Sequence, residues 1–232
     1  MPEVVRVSDP GADSREKLRQ LLPGIDLFTG DNVPPASCDI VFLALHPPVI
    51  PGVLGEIRSH LRPDTTLVSL APKVPLAKIS ELAGGVRNVA RVIPNAPSIV
   101  GEGYNPVACS GNIKPEARED LISLLRVLGK CPEVREDSLE AYAMLTGMGP
   151  TYLWFQLVEM MRLAETFGLG GEEAAEATYR MVAGAARTLR ESGLSPEEVI
   201  DLVPVKPLSD DEETIREIYR SRLSPLYRKL KG

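Results

Sequence analysis

Up to about Asp137 the sequence alternates short apolar runs with helical stretches; beyond it the apolar runs stop and helix signals alone remain. That switch limits the fold more than any single motif does. Asp39 to Leu45 is nearly all apolar and shows no alternation, as expected of a strand covered on both faces in a parallel sheet. Other expected strands lie at Val4 to Val7, Ile25 to Phe28, Thr65 to Leu70 and Asn88 to Ile93, with shorter ones at Val107 to Ser110 and Glu133 to Arg135. Helices are expected between them. The first starts at a capping box, Asp13-Ser14-Arg15-Glu16, and runs to about Leu22; others span Ile50 to His60, Leu76 to Leu82 and Pro115 to Gly129. Alternation at this spacing predicts an α/β fold with a doubly wound parallel sheet over residues 1–136.

Residues 137–232 read as an all-α domain. Helices are expected from Ser138 to Phe167 and from Glu172 to Ser192, with capping boxes at Ser195-Pro196-Glu197-Glu198 and Ser209-Asp210-Asp211-Glu212. The first helix is interrupted at Thr146-Gly147-Met148-Gly149-Pro150-Thr151-Tyr152. Inside a helix a glycine costs about 1 kcal/mol and a proline about 3. Pro150 suits the first position of a new helix. Two readings stay open for this stretch: a tight helix-helix joint, or a backbone that must approach a ligand. Leu153, Leu157, Met160, Met161 and Phe167 offer more apolar surface than a short bundle hides, which predicts a homodimer.

Composition removes several classes of function. A net charge of −6 and few aromatics argue against nucleic acid as a partner. Cys38, Cys109 and Cys131 are odd in number and scattered, which fits reduced thiols in a cytoplasmic protein. With His46 and His60 as the sole histidines, no metal site is expected. No apolar run approaches the ~18 residues that span a bilayer, and no signal-peptide pattern opens the chain, so no membrane association is expected. The basic C-terminal run, Arg216 to Lys231, follows acids at Asp210 to Glu213 and so suits a helix dipole.

Ligands of doubly wound sheets sit outside the carboxyl ends of the strands. Four expected strand ends carry unusual residues: Ser8-Asp9, Ala44-Leu45-His46-Pro47, Ala71-Pro72 and Pro94-Asn95-Ala96-Pro97. Each either punctuates a turn or lines a site. Asp9 suits an acid that holds an adenosine ribose, a role that normally follows a glycine-rich loop about 20 residues earlier. No GxGxxG occurs in these 232 residues: Gly101-Glu102-Gly103 has Pro106 at the third glycine's place, and Gly147-Met148-Gly149 has Tyr152.

The segments Val41 to Pro47, Thr66 to Ala71, Arg91 to Pro97 and Gly147 to Tyr152, in this order and spacing, resemble pyrroline-5-carboxylate reductase. That family shows Ala-Val-Lys-Pro, Ser-Ile-Ala-Ala-Gly, Met-Pro-Asn-Thr-Pro and Gly-Ser-Gly-Pro-Ala-Tyr at the matching places. The resemblance implies a Rossmann-like dinucleotide domain and a helical domain that interlocks with a partner's. It implies hydride transfer from NADPH or NADH to the C=N bond of a small substrate, a cyclic imino acid. Ser8, Asp9, Asn32 and Ala44 to Pro47 (Ala44, Leu45, His46, Pro47) would lie along the adenosine half of the cofactor, and Pro94 and Asn95 near the nicotinamide. Thr146, Gly147, Met148 and Gly149 would line the substrate side.

The departures are specific. The resemblance starts at the family's second strand, so the sheet is expected to be N-terminally truncated, its first strand encoded upstream or supplied by another chain. His46 replaces a lysine, Ala71-Pro72-Lys73 replaces Ala-Ala-Gly, and Met148 replaces a serine. Val203-Pro204-Val205-Lys206-Pro207-Leu208 stands where the family has a Ser-Pro-Gly-Gly-Thr-Thr loop, with Lys206 as the replacement partner for a substrate carboxylate. Two readings follow: a reductase whose substrate is not the usual imino acid, with hydride passing to a C=N or C=O bond, or a non-catalytic dimeric relative that keeps the fold for ligand or partner binding.

Overall fold

A computed structural model describes residues 3–231 of the chain. The apolar runs become short strands joined by helices: β1 (Arg6–Ser8), α1 (Ala12–Leu21), β2 (Asp26–Phe28), α2 (Val33–Ala36), β3 (Ile40–Leu43), α3 (Ile50–Ile57), β4 (Thr66–Ser69), α4 (Leu76–Leu82) and β5 (Val89–Val92). Then come β6 (Gly103–Tyr104), β7 (Val107–Cys109), α5 (Pro115–Leu125) and β8 (Gly129–Lys130). The helical part holds α6 (Leu139–Tyr142), α7 (Gly149–Thr166), α8 (Gly171–Glu191), α9 (Pro196–Ile200) and α10 (Glu212–Lys231).

Every residue of β4 and β5 is buried. β3, expected from its unalternating run to be covered on both faces, alternates instead, with Val41 and Leu43 buried and Phe42 40% exposed, because only one of its faces is fully packed. Successive side chains point to opposite faces of the sheet. Val41, Leu43, Leu67 and Val89 pack with Ile50, Leu54, Ile57, Ile79 and Leu139, so α3, α4 and α6 cover one face. Val68, Ala90, Val92 and Val107 pack with Leu121 and Leu125 of α5 on the other. Helices on both faces of a mainly parallel sheet make this a doubly wound, Rossmann-like α/β unit.

The strands do not form one continuous sheet. β1 and β2 pair in parallel on their own, and a second sheet runs β3-β4-β5-β7. In the doubly wound order 3-2-1-4-5-6, β1 and β2 occupy the places of strands 2 and 3, and β3 to β5 those of 4 to 6. The break between the two sheets falls at the place of strand 1 in that order. β7 pairs antiparallel to β5.

Other local expectations are corrected. The strand expected at Glu133 to Arg135 reduces to a single bridge between Glu133 and Val107; instead, Gly129–Lys130 pairs with Gly103–Tyr104. Those two backbones touch closely enough that a Cβ on either Gly103 or Gly129 would overlap the other strand or its loop, and Gly129 has φ +117°. The Asp13 capping box does not form. The Asp9 carboxylate accepts from Gly11 N–H at 2.6 Å, and α1 starts two residues early with Gly11 at its cap. At Ser195 both halves of the expected box are present. At Ser209 the backbone carbonyl takes Glu212 N–H in a turn instead, and α10 begins there.

Packing divides the chain into two compact units, Met1–Met148 with Tyr227–Gly232, and Gly149–Leu226. The expected domain boundary stood at Asp137; residues 137–148 pack within the first unit. In the second unit α7 contains no buried residue, and α8 buries just Ala174 and Thr178. No helix among the described residues is long and apolar enough to cross a membrane.

Candidate active site

The carboxyl end of β1 carries Ser8 and Asp9. The Ser8 hydroxyl is buried and has no hydrogen-bond partner among the described residues. Asp9 N–H donates to Phe28 O at 3.1 Å, tying the turn to β2, and Asp9 O accepts from Arg15 Nη1 at 2.6 Å. This sets a guanidinium beside the acid. Asn32, at the start of α2, donates from Nδ2 to Glu56 of α3 at 3.0 Å. Past β3, Ala44 and His46 are exposed, Leu45 and Pro47 half-buried, and the chain turns at Pro47 into a short 3-10 segment, Val49 N–H donating to His46 O.

The end of β5 is more tightly built. Asn95 is buried and fully engaged: its N–H donates to Asn105 Oδ1 at 2.8 Å, and its Oδ1 accepts from Tyr104 N–H at 3.1 Å. Its Nδ2 donates to Thr146 O. The structure thus brings Pro94 and Asn95 together with Thr146 and Gly147, Thr146 lying 51 residues after Asn95 in the chain. A Cβ on Gly147 would stand 3.3 Å from Ile93 Cγ2 and 3.6 Å from Pro94 O, so glycine permits this close approach. Ala143–Gly147 is not regular α-helix but a π-helical stretch, with Met148 N–H donating to Ala143 O at 2.9 Å. Such widened turns gather at functional sites. Pro150 enters the first turn of α7, where its missing N–H removes nothing.

Gly149 and Lys206 belong to the second unit. Lys206 forms an ion pair with Asp201 at 2.5 Å.

A cluster that the sequence reading missed stands behind the strand ends. Arg91, in the middle of β5, has a side chain 3% exposed. Its Nη1 donates to Glu136 Oε1 at 3.0 Å and its Nη2 to Glu140 Oε1 at 2.7 Å. The same two oxygens accept backbone N–H groups that follow β4: Glu140 from Lys73 in the loop at 3.2 Å and Glu136 from Leu76, the first residue of α4, at 2.7 Å. Burial pushes the Glu140 carboxyl up; the hydrogen bond and charge of Arg91, with the Lys73 N–H, more than offset this and hold it below its usual value of 4.5. One signal was available: a charge inside the apolar run Val89-Ala90-Arg91-Val92-Ile93 requires buried partners.

Fold and strand-end cluster together define a Rossmann-like α/β protein with a helical C-terminal region. The family model "NADP oxidoreductase coenzyme F420-dependent" matches residues 2–73, and "Pyrroline-5-carboxylate reductase dimerisation" matches residues 136–207. A pyrroline-5-carboxylate reductase of Corynebacterium melassecola is 29% identical over 201 residues, covering 85% of this chain and 74% of that protein. The structure of a pyrroline-5-carboxylate reductase from Coxiella burnetii superposes with a TM-score of 0.67 at 26% identity, covering 97% of this chain and 84% of that one. The Plasmodium falciparum pyrroline carboxylate reductase, solved with NADP bound, shares the fold with a TM-score of 0.72 at 18% identity over 97% and 82% of the two chains. This chain belongs to the pyrroline-5-carboxylate reductase family.

Proposed function

We propose that the chain is an NAD(P)H-dependent reductase acting on the C=N bond of a small cyclic imino acid, and that it works as a cytoplasmic homodimer with no nucleic acid or membrane partner. Residues 1–136 form the dinucleotide domain in this reading, and residues 137–232 the helical dimerisation and substrate domain. The observation that carries it is the pairing of Pro94-Asn95 with Thr146-Gly147 through Asn95. It supports a site where a sheet edge meets a π-helical turn, as hydride transfer between two held reactants needs.

The described residues fit the adenosine half of a dinucleotide. The buried, unpartnered Ser8 hydroxyl is the specific sign, because such groups are rarely left unpaired. Ser8 and Asp9 would hold the ribose, with Arg15 supplying positive charge beside it, and Asn32 and Ala44 to Pro47 would flank the adenosine. When bound, the reduced nicotinamide supplies the hydride. The chain's part is placement. Asn95 fixes the turn after β5 against the Thr146 carbonyl, and Gly147 lets the two backbones close up. Thr146 Oγ1 donates to Tyr142 O at 3.0 Å, which holds the π-helical stretch in register.

The test is turnover. NADPH or NADH oxidation followed by absorbance should depend on added 1-pyrroline-5-carboxylate and saturate with it. Absence of turnover with either cofactor, by a chain that still binds them, favours the non-catalytic reading instead.

A further inference from the structure

We propose that Lys73 is a substrate-binding residue that holds the carboxylate of the imino acid; this deepens the reductase reading and rests on it. Lys73 follows β4 on the carboxyl edge of the sheet, and the neighbouring strand β5 ends there in Pro94-Asn95. Its φ is +71°, and it is the one non-glycine residue in the left-handed region among those described. For a lysine that conformation is unfavourable, and glycine adopts it without strain. Strain of this kind persists where the surroundings over-determine it, and it gathers at functional sites.

The surroundings here do so. Lys73 N–H is bonded to Glu140, which Arg91 locks, and three residues on Leu76 N–H is bonded to Glu136, locked by the same guanidinium. The backbone of Lys73 is therefore fixed by a buried charge cluster, yet neither carboxylate takes its ammonium. Lys73 is exposed and forms no ion pair among the described residues. The lysine proposed from sequence alone, Lys206, already has its charge met by Asp201. A fixed backbone, a cation without a carboxylate partner among the described residues and a position on the same carboxyl edge of the sheet as the β5 turn together suit the recognition of a small carboxylate.

The experiment uses the full chain and three variants: K73M removes the charge, K73R keeps it, and K73G removes both charge and strain. Two readouts are needed. One is steady-state kinetics with 1-pyrroline-5-carboxylate and with 1-pyrroline, which lacks the carboxylate. The other is calorimetric binding of L-proline, which requires no turnover. We expect K73M and K73G to raise KM for the acid and to weaken L-proline binding by roughly tenfold to a hundredfold, as loss of a charged hydrogen bond does. Kinetics with 1-pyrroline should stay unchanged, and K73R should restore most of the binding. Loss of NADPH binding in K73M, with acid KM unchanged, would overturn the assignment and point to a cofactor phosphate. Equal loss with both imines would overturn it as well. L-proline binding that depends on Lys73, without turnover, would overturn the reductase reading and keep Lys73; turnover untouched by K73M would do the reverse. Neither binding nor turnover would overturn both.

Discussion

Replacing Arg91 by methionine should destabilise the chain by about 3–5 kcal/mol at neutral pH, the usual effect of removing one partner from a buried ion pair. Glu140 would be left ionised at a place where it is nearly as buried as Arg91 itself. The pH dependence separates this cause from simple loss of packing. In the native chain the Glu140 carboxyl is held below 4.5. A carboxyl depressed in the folded state contributes stability above its unfolded value, and that contribution is lost as pH falls through the folded one. In R91M the lowering influence of the guanidinium is gone, and burial pushes the carboxyl up. Protonating it then relieves the variant while it destabilises the native chain. Urea unfolding at a series of pH values should therefore show the gap between the two narrowing as pH drops toward 4. A gap that stays constant with pH would mean that Arg91 acts through packing alone.

The second large effect is expected on assembly. Leu153 and Met160 lie seven residues apart on one stripe of α7, 49% and 40% exposed, and no residue of the helix is fully buried within the described chain. A surface this apolar on a helix matched by a dimerisation family model is expected to meet a second copy. A two-fold interface uses each residue twice, so changing both residues to aspartate removes four apolar side chains at about 2 kcal/mol each, before the cost of burying the carboxylates. Light scattering should give a mass of two chains for the native protein and of one chain for L153D/M160D. Both positions are solvent-exposed in the single chain, so the folded content of the variant should hardly change. A native chain that runs as a monomer would contradict the dimer outright.

The sequence disclosed what local chemistry decides. Short apolar runs marked β4 and β5, which are buried throughout, whereas the longest such run, Asp39 to Leu45, became a strand with Phe42 exposed, since a run of apolar residues does not say how many faces are covered. Proline and glycine marked the β5 turn and the break before α7, because few other residues suit those backbones. Contacts that span long stretches of chain were hidden. Arg91 meets Glu136 and Glu140 at separations of 45 and 49 residues, and no local pattern reports such partners. The left-handed turn at Lys73 was equally silent, since it is imposed by Glu140 and not by its own side chain. Even a short-range rule lost at α1, where Asp9 captured the Gly11 N–H and displaced the cap expected at Asp13.

The central claim, that the carboxyl ends of these strands hold a reduced dinucleotide, is tested most directly by calorimetric titration of the chain with NADPH and with NADH. Saturable binding of at least one of them is expected, weakened when Ser8 becomes alanine, because the buried, unpartnered hydroxyl that would hold the ribose is then gone. Absence of binding to both at roughly millimolar cofactor, where even weak specific complexes form, would contradict it.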